Sequence, residues 1–392
     1  MGRQSYGAIA SAALLASVFA GPARADQKYP APLAAEQTPA TATLSDSYPA
    51  SYLYVQDMHG PSLLDSRAAI VDVAADAHAL KGQFQVAQFA TFVPSTIKSE
   101  IYVAETYYPR LTRGERTDVL TIWDKKTLTP KGEIVLPGGK RGQFVTQRQA
   151  LQLTNDEKWA LVFNFTPASS VTVVDLDARK VLGDIDLPGC SLIYPTGPRG
   201  FMSLCADGTM TSIALDAAGK LASTVTSKAF NDIDHDPMFM TPAMVGKTAW
   251  FATFRGGFRA IDLSAPVARD LGGFSLPPEK TPAGEWRPGG WQVITAAPDG
   301  KLYMLMNPAG KEGSHKDGGT EVWVVDPAKK ARVARIVLRH PGGSIEVTRE
   351  TRPSLVVALP DGSLDVYDAG TGSFGHTIPE VVMDPTMLTA SR

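Results

Sequence analysis

The sequence predicts an all-β protein, a single seven-bladed β-propeller of four-stranded antiparallel blades. Three observations predict this fold. A short apolar run that ends in an aspartate recurs seven times, most copies have a second apolar run upstream, and amphipathic helical spacing is almost absent. Each unit offers about four short strands, and β-rich units of roughly 40 to 50 residues are the period typical of propellers.

The amino-terminal residues indicate a secretory signal peptide. Arg3 precedes an apolar run at residues 8–20, and Ala23 and Ala25 form the small-x-small pattern of a cleavage site. We therefore predict a signal peptide at residues 1–25 and a periplasmic or extracellular protein. A transmembrane anchor is the alternative, but the run is shorter than the roughly 20 residues that cross a bilayer. No later segment is apolar and long enough for a membrane helix, so no membrane partner is expected.

Residues 26–50 are rich in Ala, Pro, Thr and Ser and lack periodicity, which predicts a flexible arm. The propeller is then expected over residues 51–392. The first strand, near Tyr52, is a candidate to complete a blade with the carboxyl-terminal strands.

The recurring aspartates define the units of the propeller. An aspartate that ends a strand accepts backbone N–H groups of the following turn, so seven of them predict seven turns and not seven catalytic acids. The intervals run from 41 residues (Asp175 to Asp216) to 64 residues (Asp262 to Asp326). We interpret the excess in the longest interval as an insertion around residues 276–282, with six or eight blades as the alternative count. The aspartates are Asp72, Asp124, Asp175, Asp216, Asp262, Asp326 and Asp368.

The chain contains two cysteines, Cys190 and Cys205. An oxidising compartment favours their pairing, and the turn-like stretch between them predicts facing positions on adjacent strands. A loop of this length is worth about 3 kcal/mol of stability. A metal or redox role is the alternative, but no CxxC motif is present.

Charge and motifs exclude several function classes. The formal net charge of −2 argues against nucleic acid as the main partner. The six histidines lack the spacing of a metal pair, and Asp234, His235 and Asp236 are interpreted as a polar loop between blades. No nucleophile elbow, phosphate-binding loop or dinucleotide fingerprint occurs. We therefore predict no catalytic residue and no metal site in this chain.

The densest charge cluster lies at residues 110–118. It is either a solvated loop or a docking surface for an acidic partner, because the guanidinium fork binds carboxylates bidentately. The candidate docking residues are Arg110, Arg113 and Arg116.

Several polar stretches, in order along the chain, resemble the heavy chain of the quinoprotein amine dehydrogenases, which include methylamine and aromatic amine dehydrogenase. Residues 286–291 are similar to the methylamine branch, whereas residues 311–316 and 321–326 are more similar to the aromatic branch. The matching stretches are residues 110–118, 123–124, 165–168, 173–175, the pair Cys190 and Cys205, 207–208, 286–291, 310–316 and 321–326.

The resemblance implies a periplasmic heterotetramer of two heavy and two light chains. It also implies that the cofactor, tryptophan tryptophylquinone, forms from two tryptophans of a small cysteine-rich light chain, and that this chain carries no cofactor. The implied reaction oxidises a primary amine to an aldehyde and ammonia, and the electrons pass to a copper protein or a cytochrome c. The six tryptophans of this chain lack a cysteine-rich context and are expected in strands or the core.

The resemblance further implies that a loop after the first strand walls the substrate channel. The corresponding loop is residues 58–64, and the candidate channel residues are Met58, His59 and Leu63. An ordinary loop between strands is the alternative. Two further functions remain open: a stand-alone propeller hydrolase of the lactonase kind with an axial metal, and a non-catalytic periplasmic scaffold.

Overall fold

The computed structural model describes residues 43–58, 64–87, 89–143 and 146–391, and these form seven antiparallel sheets, as predicted. Within these ranges the helical elements are two single 3-10 turns, Arg148–Ala150 and Ser314–Lys316. No helix of this part of the chain is long and apolar enough to cross a membrane. The predicted signal peptide lies outside the described residues.

Each blade has its innermost strand beside the axis and its outermost strand at the rim, and the strands follow in that order. Blade 1 consists of β30 (Pro385–Ala390), β1 (Tyr52–Asp57), β2 (Ser66–Asp72) and β3 (Leu80–Val86). Blade 2 consists of β4 (Thr91–Pro94), β5 (Glu100–Tyr107), β6 (Thr117–Asp124) and β7 (Pro130–Val135). Blade 3 consists of β8 (Leu151–Leu153), β9 (Trp159–Asn164), β10 (Ser170–Asp175) and β11 (Lys180–Asp186). Blade 4 consists of β12 (Cys190–Thr196), β13 (Gly200–Cys205), β14 (Met210–Leu215) and β15 (Leu221–Thr226).

The remaining blades follow the same order. Blade 5 consists of β16 (Ala243–Val245), β17 (Thr248–Ala252), β18 (Gly257–Asp262) and β19 (Arg269–Ser275). Blade 6 consists of β22 (Ile294–Ala296), β23 (Leu302–Gly310), β24 (Gly319–Asp326) and β25 (Ala331–Gly342), with the added strands β20 (Lys280–Thr281) and β21 (Gly284–Pro288). Blade 7 consists of β26 (Ser344–Val347), β27 (Ser354–Ala358), β28 (Leu364–Asp368) and β29 (Phe374–Ile378).

The two ends of the propeller meet in blade 1. Strand β30 pairs antiparallel with β1, from Leu53 opposite Ala390 to Gln56 opposite Met387. The last strand of the chain is therefore the innermost strand of the first blade. This arrangement confirms the expected role of the strand near Tyr52.

The long interval between Asp262 and Asp326 contains an insertion and not an eighth blade. Strands β20 and β21 form a hairpin, and β21 pairs with the distal part of β23 from Glu285 opposite Gly310 to Pro288 opposite Met306. The proximal part of β23 pairs with β22. The extra residues therefore widen blade 6 and leave the number of blades at seven.

The hydrophobic core lies between neighbouring blades. Apolar side chains of blades 1 and 2 share one cluster that includes Tyr54, Phe84 and Phe92, and similar clusters lie between the other blades. Burial of these faces on both sides explains the nearly continuous apolar runs of the second strands. The innermost strands contact each other around the axis.

Every innermost strand begins at the same end of the axis, which we call the upper face. The seven recurrent aspartates end the third strand of each blade and therefore lie at the opposite end, the lower face. Each accepts at least one backbone N–H of the following turn, as in the bond of 2.7 Å from Thr371 N to Asp368. Their predicted role in turns is confirmed.

Residues 43–50, the end of the predicted arm, lie against blades 1 and 2. The backbone N–H of Leu44 donates to the carbonyl of Lys126 at 2.9 Å, and the hydroxyl of Tyr48 donates to the carbonyl of Lys125 at 2.5 Å. The flexibility of the rest of the arm stays a prediction.

Candidate functional site

A cavity opens on the upper face, where the innermost strands begin. Its volume is about 340 Å³ including its open mouth. The lining residues come from blades 1, 3, 5 and 6, so the wall exists only because the ring brings these segments together. They are Met58, Thr146, Gln147, Arg148, Thr241, Trp291, Gln292, Thr386 and Met387.

Two glycines, Gly289 and Gly290, connect the inserted hairpin of blade 6 to the residues that line this cavity. A side chain at Gly289 would meet the carbonyl oxygen of Gly318 at 2.8 Å, and one at Gly290, whose φ is +136°, would meet that of Gly343 at 2.3 Å. Only glycine fits both positions without a shift of the backbone. Trp291 and Gln292 follow directly, and the N–H of Trp291 donates to Gly343 at 2.7 Å.

An ion pair at the cavity joins blades 3 and 7. The guanidinium of Arg148, from the segment that leads into blade 3, lies 3.6 Å from the carboxylate of Glu346 on the innermost strand of blade 7. Glu346 is only 2 % exposed. It accepts hydrogen bonds from the amide of Gln292 at 2.8 Å and from the hydroxyl of Thr295 at 2.9 Å, and Arg349 lies 3.1 Å away. The carboxylate is thus held by groups from three blades.

A second cavity of about 370 Å³, including its open part, adjoins the first, and both share Gln147. Its wall is mostly apolar, with Phe89, Phe163 and Leu192 among the lining residues, but it also contains Arg141. Burial lowers the pKa of Arg141 to about 10. The side chain donates to the carbonyl of Phe89 and the hydroxyl of Thr106 at 2.7 Å each. These bonds give Arg141 a role in joining blades 2 and 3.

The predicted channel residues fall partly within the described chain. Met58 follows β1 and lines the axial cavity beside Met387. His59 and Leu63 lie outside the described residues. A channel role for the three residues therefore stays a prediction, with Met58 as the member whose place is known.

The predicted docking arginines lie in the loop between β5 and β6, which also emerges on the upper face. Arg110 and Arg113 are exposed, and their backbones exchange hydrogen bonds of 3.0 and 3.2 Å across a tight turn. Arg116 instead donates to Asp118 at 2.9 Å and to the carbonyl of Arg141 at 2.5 Å. The first two guanidinium groups thus face solvent, whereas the third also ties the loop to the blade.

The tip of the same turn exposes a large apolar side chain. Leu111 is 74 % exposed and has a φ of +60°, a region that branched side chains seldom adopt. Other apolar side chains are exposed at the upper face, on second strands or on loops that emerge there. They are Tyr107, Phe165, Ile233, Trp291 and Met383.

The disulfide between Cys190 and Cys205 is present. The two residues are register partners at the upper ends of β12 and β13. Their predicted positions on adjacent strands are confirmed. Because Leu192 of the same strand lines the second cavity, the disulfide fixes the strand next to that cavity.

The polar loop at residues 234–236 does not form a metal cluster. The ring of His235 bonds Asp232, whereas the carboxylate of Asp236 accepts from the hydroxyl of Thr253 and the N–H of Arg255. In the part of the chain that the structure describes, no group of three or more His, Cys, Asp or Glu residues is placed to hold a metal ion.

The tryptophans occupy strands or the cavity mouth. Trp291 lines the axial cavity, whereas Trp286 and Trp323 lie in ring contact, with centroids 5.7 Å apart. Arg332 and Arg335 stack on this pair, and the indole N–H of Trp323 donates to Glu321. These contacts give Trp286 and Trp323 a packing role in blade 6.

The sequence patterns did not reveal Arg148, Glu346, Gln292 and Thr386. The single signal for Gln292 was its position after the two glycines at residues 289 and 290. The other three are isolated polar residues beside short apolar strands, and no local spacing connects them.

The chain matches the family model described as methylamine dehydrogenase heavy chain over residues 50–391. The heavy chain of Paracoccus versutus is 30 % identical over 309 residues, which cover 76 % of this chain and 71 % of the relative. That of Methylobacillus flagellatus is 28 % identical over 394 residues, which cover 97 % of this chain and 96 % of the relative.

Solved structures with the same fold are more distant. A putative 6-phosphogluconolactonase from Bacteroides fragilis has a TM-score of 0.58 at 13 % identity and covers 90 % of this chain and 99 % of its own. A dihydro-heme d1 dehydrogenase has a TM-score of 0.52 at 15 % identity and covers 88 % of this chain and 76 % of its own. At such identities these likenesses show the propeller fold alone.

Proposed function

Because the chain belongs to the methylamine dehydrogenase heavy-chain family, we propose that it is the heavy subunit of a periplasmic quinoprotein amine dehydrogenase. The family places its cofactor in the light chain, so the chemistry belongs to a partner. The proposed reaction converts a primary amine and water to an aldehyde and ammonia. Two electrons and two protons leave the site, and a copper protein or a cytochrome c takes the electrons. The names of the relatives make methylamine the first substrate to test.

The residues of this chain do not fit the cofactor itself. The two tryptophans in ring contact, Trp286 and Trp323, are held by stacked arginines in blade 6 and lie apart from the lining residues of the cavity. We therefore assign tryptophan tryptophylquinone to the partner, where it would supply the electrophilic carbonyl and accept the electrons. This chain would bind the partner, shape the access path and exclude water from the contact.

The upper face is the proposed docking surface for the light chain. Specific interfaces combine apolar anchors with a polar rim. The upper face offers Leu111 and Trp291 as exposed apolar groups, and Arg110 and Arg113 as solvent-facing cations beside Leu111. A partner with carboxylates around an apolar pocket would match the turn at residues 110–113. Two such contacts would give the proposed tetramer of two heavy and two light chains.

Met58 is proposed to line the path by which the substrate reaches the cofactor. It lines the axial cavity together with Trp291 and Met387, so an amine that enters from the contact would meet thioether and indole groups. Such side chains are apolar and polarisable, and methionine adapts its shape to different ligands. The observation that carries the proposal is therefore the family match, supported by a cavity with thioether and indole groups in its wall on the same face as the exposed arginines.

Coexpression tests this function. The chain is produced with the short, cysteine-rich exported protein expected to be encoded beside it, and is purified by a tag on the heavy chain alone. We expect a small coloured partner to copurify and its quinone absorbance to bleach when methylamine is added under exclusion of oxygen. A colourless single chain from cells grown on methylamine would contradict the proposal. Tag-free coexpression is the control for non-specific capture.

A further inference from the structure

Trp291 differs from the other tryptophans of the chain in its surroundings. All six tryptophans lie within the described residues, and five of them belong to the hydrophobic clusters between blades or pack against these clusters. Trp291 belongs to none of these clusters and is 44 % exposed. Its indole N–H donates to none of the residues that the structure describes, whereas that of Trp323 donates to Glu321. A large aromatic side chain is thus left in contact with solvent.

The backbone that carries this exposed side chain is firmly held. Gly290 has a φ of +136°, a conformation that suits glycine alone. The N–H of Trp291 donates to the carbonyl of Gly343 at 2.7 Å. The buried side chain of Gln292 donates to the carbonyl of Leu388 at 3.1 Å and accepts from its N–H at 3.3 Å. The indole is therefore exposed at a fixed place, because blade 1 and the segment before blade 7 hold the chain beside it.

Trp291 lies near the centre of the upper face. It precedes β22, the innermost strand of blade 6, and lines the axial cavity together with Met58 and Met387. The other exposed apolar side chains of the upper face belong to other blades, so an interface that reaches them has Trp291 near its centre. The residues that contribute most to binding are enriched in tryptophan and cluster near the centre of an interface.

We propose that Trp291 is the principal anchor for the light chain, and that the light chain receives it in an apolar cleft with an oxygen acceptor at its base. The acceptor is required because the indole N–H loses its water when the ring is buried. A partner seated on Trp291 also covers the cavity that Met58 lines, so the same contact closes the proposed substrate path to bulk water. This inference rests on the proposed function and names the residue on which its two chains chiefly depend for binding.

The charge of the upper face favours the light chain over a second copy of this chain as the occupant. Arg110 and Arg113 face solvent on this face. A second copy would present the same arginines, whereas a different chain can present carboxylates to them, and like charges across an interface oppose binding.

The affinity of heavy-chain variants for the light chain tests the anchor by surface plasmon resonance. Trp291→Ala should weaken the affinity at least about thirtyfold, as expected for a central tryptophan. Trp291→Phe keeps an aromatic ring but loses the N–H, so it should bind about fivefold more weakly. Ile97→Ala is the control, because it removes an exposed apolar side chain from the turn between β4 and β5 on the lower face. It should leave the affinity unchanged.

A second measurement leaves Trp291 in place. The chain labelled with 5-fluorotryptophan should give one fluorine resonance for each of its six tryptophans, and Trp291→Phe identifies that of Trp291. Addition of the unlabelled light chain should shift this resonance and remove its dependence on the H2O to D2O ratio. The resonances of Trp159 and Trp323, which lie in the clusters between blades, should stay where they are.

The outcomes separate this inference from the proposed function. If the complex forms but Trp291→Ala binds as tightly as the unaltered chain, or the resonance of Trp291 does not shift, Trp291 is not the anchor and the proposed function stands. If the unaltered chain binds no light chain, the proposed function fails and this inference fails with it. If Trp291→Ala abolishes self-association of the heavy chain in sedimentation and leaves the light-chain affinity unchanged, the occupant is a second copy and the inference is wrong.

Discussion

Arg148 and Glu346 form an ion pair that joins two non-adjacent blades across the propeller axis. They lie 3.6 Å apart and belong to blades 3 and 7. It is one of several contacts between non-adjacent blades at the centre of the ring, since the side chain of Gln292 in blade 6 also exchanges hydrogen bonds with the backbone of Leu388 in blade 1.

Substitution of Glu346 tests this ion pair. Glu346→Gln leaves the partly exposed guanidinium groups of Arg148 and Arg349 without the buried carboxylate, and removal of one partner of a fully buried pair costs about 3–5 kcal/mol, which is the upper limit here. We expect the free energy of unfolding in urea to fall by that order. The exposed Glu312→Gln is the control and should be neutral. A decrease in the free energy of unfolding below about 1 kcal/mol would show that this ion pair does not stabilise the ring.

The disulfide should stabilise blade 4. Cys190 and Cys205 close a loop with a sequence separation of 15 residues, for which chain entropy gives about 3 kcal/mol. The double variant Cys190→Ala/Cys205→Ala should lose about this amount in denaturant unfolding. Reductant should destabilise the unaltered chain by a similar amount and leave the double variant unchanged. An equal response of both proteins to reductant would contradict the prediction.

Glu100 should make the stability depend on pH in the acid range. Burial raises its pKa, but hydrogen bonds from Arg179, Tyr102 and Lys131 outweigh burial and hold the pKa at about 2, below the ordinary 4.5. Because the folded pKa is depressed, the stabilisation is complete above pH 4.5 and is lost as the pH falls towards 2. The shift corresponds to about 3 kcal/mol.

Comparison with Glu100→Gln measures this contribution. The unaltered chain should be the more stable protein at pH 6, and the difference in the free energy of unfolding should shrink steadily between pH 4.5 and 2. A difference that stays constant over this range would show that Glu100 is not the titrating group.

The turn at residues 110–113 should contribute to light-chain affinity. Arg110→Glu/Arg113→Glu reverses the charge of two solvent-facing groups, and Leu111→Asp places a charge at the proposed apolar anchor. Each variant should weaken the affinity at least tenfold, as expected for reversed rim charges or a lost anchor. Surface plasmon resonance against the isolated light chain measures it.

Arg352→Glu is the matched control for this charge reversal. Arg352 is exposed in the loop between β26 and β27, on the lower face. It should leave the affinity unchanged. Equal weakening by both substitutions would indicate a general charge effect and not a docking contact.

Met58 should influence which amines react. Met58→Ala enlarges the cavity mouth, so kcat/KM for benzylamine should rise several-fold relative to methylamine, since one or two methylene groups are worth about 1–3 kcal/mol in a pocket. The melting temperature should stay the same. Met244→Ala, a change outside the cavity wall, is the control. An unchanged ratio of the two kcat/KM values would remove Met58 from the substrate path.

The fold was largely predictable because its signals are local. The aspartate that ends each third strand, the apolar run before it and the spacing of the cysteines depend on residues close in sequence. Even the insertion in blade 6 was detectable, since it lengthens one interval and leaves the others intact. The resemblance to the heavy chains rested on polar stretches that lie mainly in the loops.

The centre of the candidate site was not predictable from these signals. Arg148 and Glu346 are 198 positions apart (346 − 148), and Thr386 joins them only because β30 closes the ring. Their meeting depends on the tilt and number of the blades and on no local pattern. In the sequence, Thr386 has no feature that distinguishes it from other threonines in β-strands. Only the structure shows that its buried hydroxyl lacks a hydrogen-bond partner.

The pairing of β30 with β1 also sets the order in which this protein can become functional during its biosynthesis. Thr386 and Met387 belong to the strand of the ring that is made last, and Met58 follows the strand that is made first. The wall of the cavity is therefore incomplete on every nascent chain, however many blades have already folded. A partner that recognises this wall would select finished rings over truncated ones, so assembly itself would serve as quality control.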